Sequence, residues 1–135
     1  MIEMQVGGLG FDPRNLSPLV LLRDPEEMNF LPIWIGIFEA AAIAMELQNV
    51  QPPRPMTHDL MKAVIERLDA KVKRIVIDAL LSNTFHAKIF LAGKDRKERI
   101  VDARPSDCIA LAVRTKSPIF VEDEVLKKAQ VFKGL

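Results

Sequence analysis

Two short polar segments contain the residue types that perform phosphate chemistry, and each lies where a helix is predicted to begin. The first is residues 54–59 (RPMTHD), and the second is residues 102–107 (DARPSD). The first turn of a helix carries free backbone N–H groups and a partial positive charge, so it can bind an anion such as phosphate. An arginine beside it adds a bidentate hydrogen bond to the same anion.

The first segment combines a titratable histidine with a candidate phosphate ligand. A histidine ordinarily titrates near neutrality, so His58 can act as a general acid or base, and Arg54 can contact the phosphate. Thr57 suits the N-cap of the helix, and Asp59 suits the positive end of its dipole. The alternative is structural: Thr57 and Asp59 only cap the helix, while Arg54 pairs with Asp59.

The second segment offers carboxylates for a divalent metal. Asp102 and Asp107 can share Mg²⁺, which prefers carboxylate oxygens, and such a metal activates water for hydrolysis. The alternative is that Asp107 serves the helix dipole while Arg104 pairs with Asp102 or Glu39. Glu39 lies in an apolar helix and needs a partner: Arg54, Arg104 or a metal. For a carboxylate in an apolar helix, a structural ion pair is more common than a catalytic role.

Apolar periodicity and turn residues predict the elements that position these segments. Strands are predicted over 2–11, 17–23, 30–35, 72–81, 84–91, 98–103 and 118–121, and helices over 37–48, 58–69, 105–115 and 122–130. The first helix is apolar on nearly every side and is predicted to be buried. The second is predicted to turn one stripe inward, comprising Leu60, Met61, Val64, Ile65 and Leu68. This order predicts an α+β fold, a single compact domain with a mixed, largely antiparallel sheet packed with about four helices.

Composition excludes several classes of protein. The 135 residues are 49% hydrophobic and 27% charged, which excludes intrinsic disorder. The net charge of +1 argues against a charge-driven nucleic-acid coat protein but is compatible with a transient nucleic-acid substrate. The single cysteine, Cys108, excludes an intrachain disulfide and a CxxC zinc site. One Trp and no Tyr give little sign of a base-stacking platform. With no signal peptide and no apolar run of membrane-spanning length, we expect a soluble cytoplasmic protein.

Several segments, in this order along the chain, resemble the bifunctional nuclease domain family. They are LPIWIG, EAAAIAMEL, RPMTHDL, FHAKIFL, VDARPSDCIALAVR and PIFV, and the similarity covers roughly residues 1–125. The resemblance implies a compact α+β domain, often dimeric, whose plant members degrade both RNA and DNA. The motif residues of the family fall here on Glu39, Arg54, Thr57, His58, Asp59, Asp102, Arg104, Ser106 and Asp107.

The combined hypothesis is one nuclease domain over residues 1–135 that hydrolyses phosphodiester bonds of RNA and DNA with low sequence specificity. It uses Mg²⁺ or Mn²⁺ and forms a homodimer. The residues assigned to its roles are, for catalysis, His58, Asp59 and Asp107; for substrate binding, Arg54, Thr57, Arg104 and Ser106; and for the metal, Glu39, Asp102 and Asp107. The alternative is a non-catalytic homodimeric regulatory or ligand-binding module. A dimer with no ligand is a third interpretation.

Overall fold

The computed structural model describes residues 1–26, 29–129 and 131–133. For residues 132 and 133 it describes the backbone only. Its strands are β1 (Ile2–Asp12), β2 (Ser17–Arg23), β3 (Asn29–Trp34), β4 (Lys71–Leu81), β5 (Thr84–Ala92), β6 (Glu98–Ala103), β7 (Ile119–Val121) and β8 (Phe132–Lys133). Its helices are α1 (Ile37–Leu47), α2 (Thr57–Arg67), α3 (Pro105–Thr115) and α4 (Asp123–Lys128). Within these ranges, none of the helices reaches the length and hydropathy that crossing a lipid bilayer requires.

One sheet contains all the described strands, in the order β6-β5-β4-β7-β1-β2-β3-β8. Neighbouring strands are antiparallel except β4 and β7, which run parallel. A parallel pair needs a crossover connection, and the chain from β5 through α3 supplies it. The predicted α+β fold with a mixed, largely antiparallel sheet is therefore confirmed. The two-residue strand β8 is the one strand that the pattern does not predict, because so short a segment shows no periodicity.

Helix α3 lies at the centre of the core and holds the candidate site in place. It packs on β4 and β5, and both α1 and α2 pack against it. Cys108, Ile109, Ala110 and Leu111 in its middle are completely buried. Its bounds agree with the predicted helix 105–115, because Pro105 fixes the backbone of the first helical residue and has no N–H to leave unpaired.

The prediction that the first helix is buried on all sides is wrong. In α1 only Ile43 is buried, while Ile37 and Phe38 are exposed, Phe38 to 85%. The helix contacts α3 and β2 on one side only. An apolar composition shows that a helix can be buried without desolvating polar side chains. It does not show that neighbouring elements cover every side of the helix.

The predicted inward stripe of the second helix is correct for only two of its five residues. Met61 and Ile65 pack against the core, but Leu60, Val64 and Leu68 are 49–74% exposed. Consecutive residues on a helix are about 100° apart, so the 61/65 row and the 60/64/68 row point in different directions. Only the first of these rows meets α3, and the second forms an exposed apolar row.

Candidate active site

The first turns of α2 and α3 meet, and four side chains there form one continuous hydrogen-bonded chain. Nε2 of His58 lies 2.9 Å from Oδ1 of Asp107. Arg104 donates to both oxygens of Asp107, from Nε at 2.9 Å and from Nη2 at 3.1 Å. Its Nη1 donates to Oε1 of Glu39 at 3.1 Å. The structure therefore brings together residues from both polar segments and from α1.

Local structure at the start of α3 sets this arrangement. Arg104 is the N-cap residue, with an extended backbone, and Pro105 is the first helical residue. Asp107 occupies the third position, as predicted, where the helix dipole favours a negative charge. Of the two predicted partners for Arg104, the structure shows Glu39 and not Asp102.

The charge state of Asp107 determines how His58 is held. Burial raises the pKa of Asp107, but hydrogen bonds from Arg104 and His58 outweigh burial, so its pKa lies below the ordinary value. An ionised carboxylate only accepts hydrogen bonds, so Nε2 of His58 donates and Nδ1 is the basic atom of the neutral ring. Nδ1 forms no hydrogen bond within the described residues, and the His58 side chain as a whole is buried.

A cavity of about 390 Å³ opens beside Arg104 and Glu39, at one end of these hydrogen-bonded side chains, whereas His58 and Asp107 are not among its lining residues. Its lining includes Glu39, Arg104 and Ser106, together with the aromatic residues Trp34 and Phe85. An arginine near aromatic rings suits a nucleotide, because the guanidinium binds phosphate and the rings stack with a base. Composition alone gives little sign of a stacking platform, but the single tryptophan of the sequence lies at this cavity.

Gly36 makes room for the acidic end of the site. It is the N-cap residue of α1, and a Cβ atom there would collide with the carboxylate of Glu39. Because Gly36 has no side chain, Glu39 folds back over the start of α1 toward Arg104. The same residue borders the cavity, so a larger side chain would both displace Glu39 and narrow the opening.

Arg54 and Thr57 precede His58 in the sequence, and neither forms a hydrogen bond or ion pair with the site residues within the described part of the chain. Both are exposed, and Arg54 forms no ion pair within the described residues. The predicted N-cap role of Thr57 is wrong, since Met56 is the N-cap residue and Thr57 begins the helix. Asp59 completes the cap instead, because its Oδ2 accepts the Met56 backbone N–H at 3.0 Å.

The partner of Asp59 is Arg114, which the sequence analysis did not single out. Arg114 is 4% exposed at its side chain, and its Nε donates to Oδ1 of Asp59 at 2.7 Å. Its other nitrogens donate to the backbone oxygens of Ala110 and Ala42, at 2.8 and 2.9 Å. One guanidinium thus joins α1, α2 and α3. The alternative pairing of Arg54 with Asp59 is therefore wrong.

A signal for Arg114 was available in the sequence. It follows five apolar residues in a helix predicted to pack inward, and a buried charge needs partners. Glu39 is likewise a charged residue in an apolar helix and needs a partner for the same reason. Hydrogen bonding by Arg114 lowers the pKa of Asp59 despite partial burial. Asp59 is therefore ionised and fixed next to His58.

The three carboxylates assigned to a metal do not form one site. Asp102 is the penultimate residue of β6, is largely exposed, and pairs with Lys88 across the strands at 3.1 Å. Glu39 and Asp107 are both engaged by Arg104. Across the described ranges, no three His, Cys, Asp or Glu side chains are grouped so that they could hold a metal ion. As placed, these three carboxylates do not provide one shared metal site.

Comparison with known proteins agrees with the motifs. Residues 20–134 match the model of the Bifunctional nuclease domain. The chain belongs to the bifunctional nuclease domain family. It is 44% identical over 129 residues to an uncharacterized protein of Mycobacterium tuberculosis, covering 96% of this chain and 76% of that protein. The predicted family resemblance is thereby confirmed.

This bifunctional nuclease domain is also similar to longer plant proteins. It is 30% identical over 108 residues to Bifunctional nuclease 2 of Oryza sativa subsp. japonica, covering 78% of this chain and 33% of that protein. It is 29% identical over 93 residues to Bifunctional nuclease 1 of Arabidopsis thaliana, covering 67% of this chain and 29% of that protein. The domain therefore spans about a third of these plant proteins.

Proposed function

We propose that this bifunctional nuclease domain is a phosphodiesterase that cleaves RNA and DNA with low sequence specificity, acting in the cytoplasm. The supporting observation is the chain from His58 through Asp107 to Arg104, next to a cavity with aromatic walls. Phosphate contacts carry no sequence information, and stacking accepts every base. Both features suit an enzyme that accepts many sequences.

The three hydrogen-bonded residues Arg104, His58 and Asp107 each have a chemical role in this proposal. Arg104 is 64% exposed at its side chain and holds the scissile phosphate in the cavity, aided by Ser106. His58 accepts a proton at Nδ1 from the attacking oxygen and returns it to the leaving oxygen. Asp107 orients the ring and stabilises its protonated form. Arg54 and Thr57, at the exposed start of α2, contact phosphates further along the strand.

Arg104→Gln is expected to lower cleavage of single-stranded RNA and DNA about 10- to 100-fold, because a charged hydrogen bond to phosphate is lost. Rates are measured with end-labelled oligonucleotides and purified protein. Arg99→Gln is the matched control, since Arg99 is also exposed and also pairs with a nearby aspartate, Asp95. Full activity of the Arg104 variant, or an equal loss in the control, would contradict the phosphate-binding role.

Assistance by Mg²⁺ or Mn²⁺ stays a prediction, and the same assay tests it with EDTA. Activity that persists in EDTA would remove the metal from the proposal and leave the roles of Arg104 and His58 unchanged. Activity lost in EDTA and restored by Mg²⁺ or Mn²⁺ would support the metal. Equal activity of wild-type and variant proteins under all conditions would indicate a contaminating nuclease.

One observation favours the second candidate function, a non-catalytic regulatory or ligand-binding module. His58 is only 7% exposed, and the charged groups linked to it, Asp107, Arg104 and Glu39, are paired with one another. A module of this kind would bind nucleotides in the cavity without turning them over. Oligonucleotide binding with no cleavage product after prolonged incubation would establish this function in place of the nuclease.

We further propose that the domain is a homodimer that buries the exposed apolar faces of α1 and α2. Both helices expose large apolar side chains to water. These are Ile37 and Phe38 on α1 and the row Leu60, Val64 and Leu68 along α2 and its C-cap. Monomeric proteins rarely expose apolar patches beyond a few hundred Å². A second copy presenting the same patch would cover both faces by two-fold symmetry.

The double variant Leu60→Glu/Leu68→Glu is expected to halve the mass measured by light scattering, because buried charges would separate the subunits. Leu16→Glu is the control, since Leu16 is 76% exposed in the turn after β1, outside both helices. A wild-type protein that is already monomeric would contradict the dimer. A dimer that persists in the α2 variant would place the interface elsewhere.

A further inference from the structure

A second and larger cavity, of about 750 Å³, lies where the last turns of α2 and α3 meet the start of β4. We call it the lysine pocket, after Lys62, Lys71, Lys94 and Lys116 in its lining. None of the residues assigned to catalysis or to substrate lines it. Its volume is within the range of small-molecule sites, about 300–1,000 Å³.

The lysine pocket has an apolar floor. Ile65, Ala70 and Val72 are half-buried in its lining, and Ile65 and Val72 also pack against the core. This floor is held in place by the C-terminus of α3, because Ser117 Oγ donates to the Val72 backbone oxygen at 3.2 Å. A flat apolar ring can therefore lie on a surface that the fold has already formed.

Two of the lysine charges are uncompensated. Lys62 pairs with Glu66 at 3.8 Å, and Lys94 pairs with Asp69 at 3.2 Å. In the part of the chain that the structure describes, Lys71 and Lys116 form no ion pair. Arg114 also borders the pocket, but Asp59 balances its charge.

The helix dipoles neutralise only part of the charge of Lys71 and Lys116. Helices α2 and α3 both end at the pocket, and the C-terminus of a helix carries about half a negative charge. The two ends together offset about one of the two free lysine charges. The pocket therefore keeps a positive potential in addition to its apolar floor.

We propose that the lysine pocket is a nucleotide-binding site. Lys71 and Lys116 bind the phosphate, and the base lies on the floor formed by Ile65 and Val72. The nucleotide is either free or part of a nucleic-acid strand, since both present the same phosphate and ring. The proposal does not depend on hydrolysis at His58.

Calorimetric titration with AMP, inorganic phosphate and a four-residue oligothymidylate tests the proposal. All proteins carry His58→Gln and Arg104→Gln, so that the strand stays intact during the measurement and the phosphate ligand of the smaller cavity is absent. The variant is Lys71→Gln/Lys116→Gln. The matched control is Lys127→Gln/Lys128→Gln, which removes two positive charges from the exposed last turn of α4.

The pocket variant is expected to bind AMP at least about tenfold more weakly, and the control to change about twofold or less. Absence of AMP binding, an equal loss in the control, or phosphate binding as tight as AMP would overturn the proposal. Tighter binding of the oligonucleotide than of AMP would identify a strand as the ligand; the reverse would identify a free nucleotide. Wild-type protein that cleaves strands, together with no AMP binding in the titration, would refute only the pocket. Wild-type protein that cleaves no strand, together with AMP binding that is lost in the pocket variant, would refute only the nuclease.

Discussion

His58→Gln is expected to lower the rate of phosphodiester cleavage about 10²- to 10⁴-fold, the usual contribution of a general acid–base group. Glutamine retains a polar group of similar size, which can still bond to Asp107, but it cannot accept and return a proton. The rate is measured under single-turnover conditions on RNA and on DNA. His86→Gln is the control, because His86 on β5 is the other histidine of the chain.

The pairing of His58 with Asp107 makes the prediction more specific. If Asp107 acts by orienting the histidine, the double variant His58→Gln/Asp107→Asn should be about as active as His58→Gln alone, because residues acting as a unit are not additive. Independent, additive losses would contradict that role. Full activity of His58→Gln would remove general acid–base catalysis by this residue and favour the ligand-binding module.

Arg114→Met is expected to lower the free energy of unfolding by about 3–5 kcal/mol, the usual effect of removing one partner of a buried ion pair. The substitution removes the guanidinium donor from Oδ1 of Asp59 and from the backbone oxygens of Ala42 and Ala110. The loss is measured by urea unfolding at pH 7. Arg99→Met, at an exposed ion pair, is the control and should leave the midpoint nearly unchanged.

The stability difference between wild type and Arg114→Met should depend on pH. The pKa of Asp59 is lowered in the folded protein, mainly by its hydrogen bond from Arg114. Its stabilising contribution is therefore fully present above the unfolded-state pKa of about 3.9 and lost as the pH falls through the folded-state value. The difference should narrow below about pH 4. If the difference in unfolding free energy between wild type and Arg114→Met is the same at pH 7 and pH 3, ionised Asp59 is not its cause.

Local signals in the sequence predict the elements well, but they do not predict what covers them. Pro105 and Asp107 correctly place the start of α3, because their effect lies within one helical turn. The exposure of Leu60 and Phe38 depends on which neighbours pack beside their helices. Periodicity identifies residues on a common face, but a neighbour elsewhere in the chain determines whether that face is buried.

The same limit applies to the site. The pairing of His58 with Asp107 joins residues 49 positions apart, so the sequence supplies both groups but not their contact. Asp102 lies close to Asp107 in sequence, yet the register of β5 and β6 places it opposite Lys88. Arg114 was predictable in principle as a charge in an apolar helix, although its partners on two other helices were not.

The position of β7 has a consequence for how the domain assembles during synthesis. Among the described strands, this three-residue segment alone connects the β1–β3 side of the sheet to the β4–β6 side. The ribosome makes it after all the residues of the candidate site. Until residue 121 emerges, the nascent chain carries two half-sheets with unpaired edges, which are prone to wrong pairings. The complete fold that holds the candidate site should therefore form in one late step.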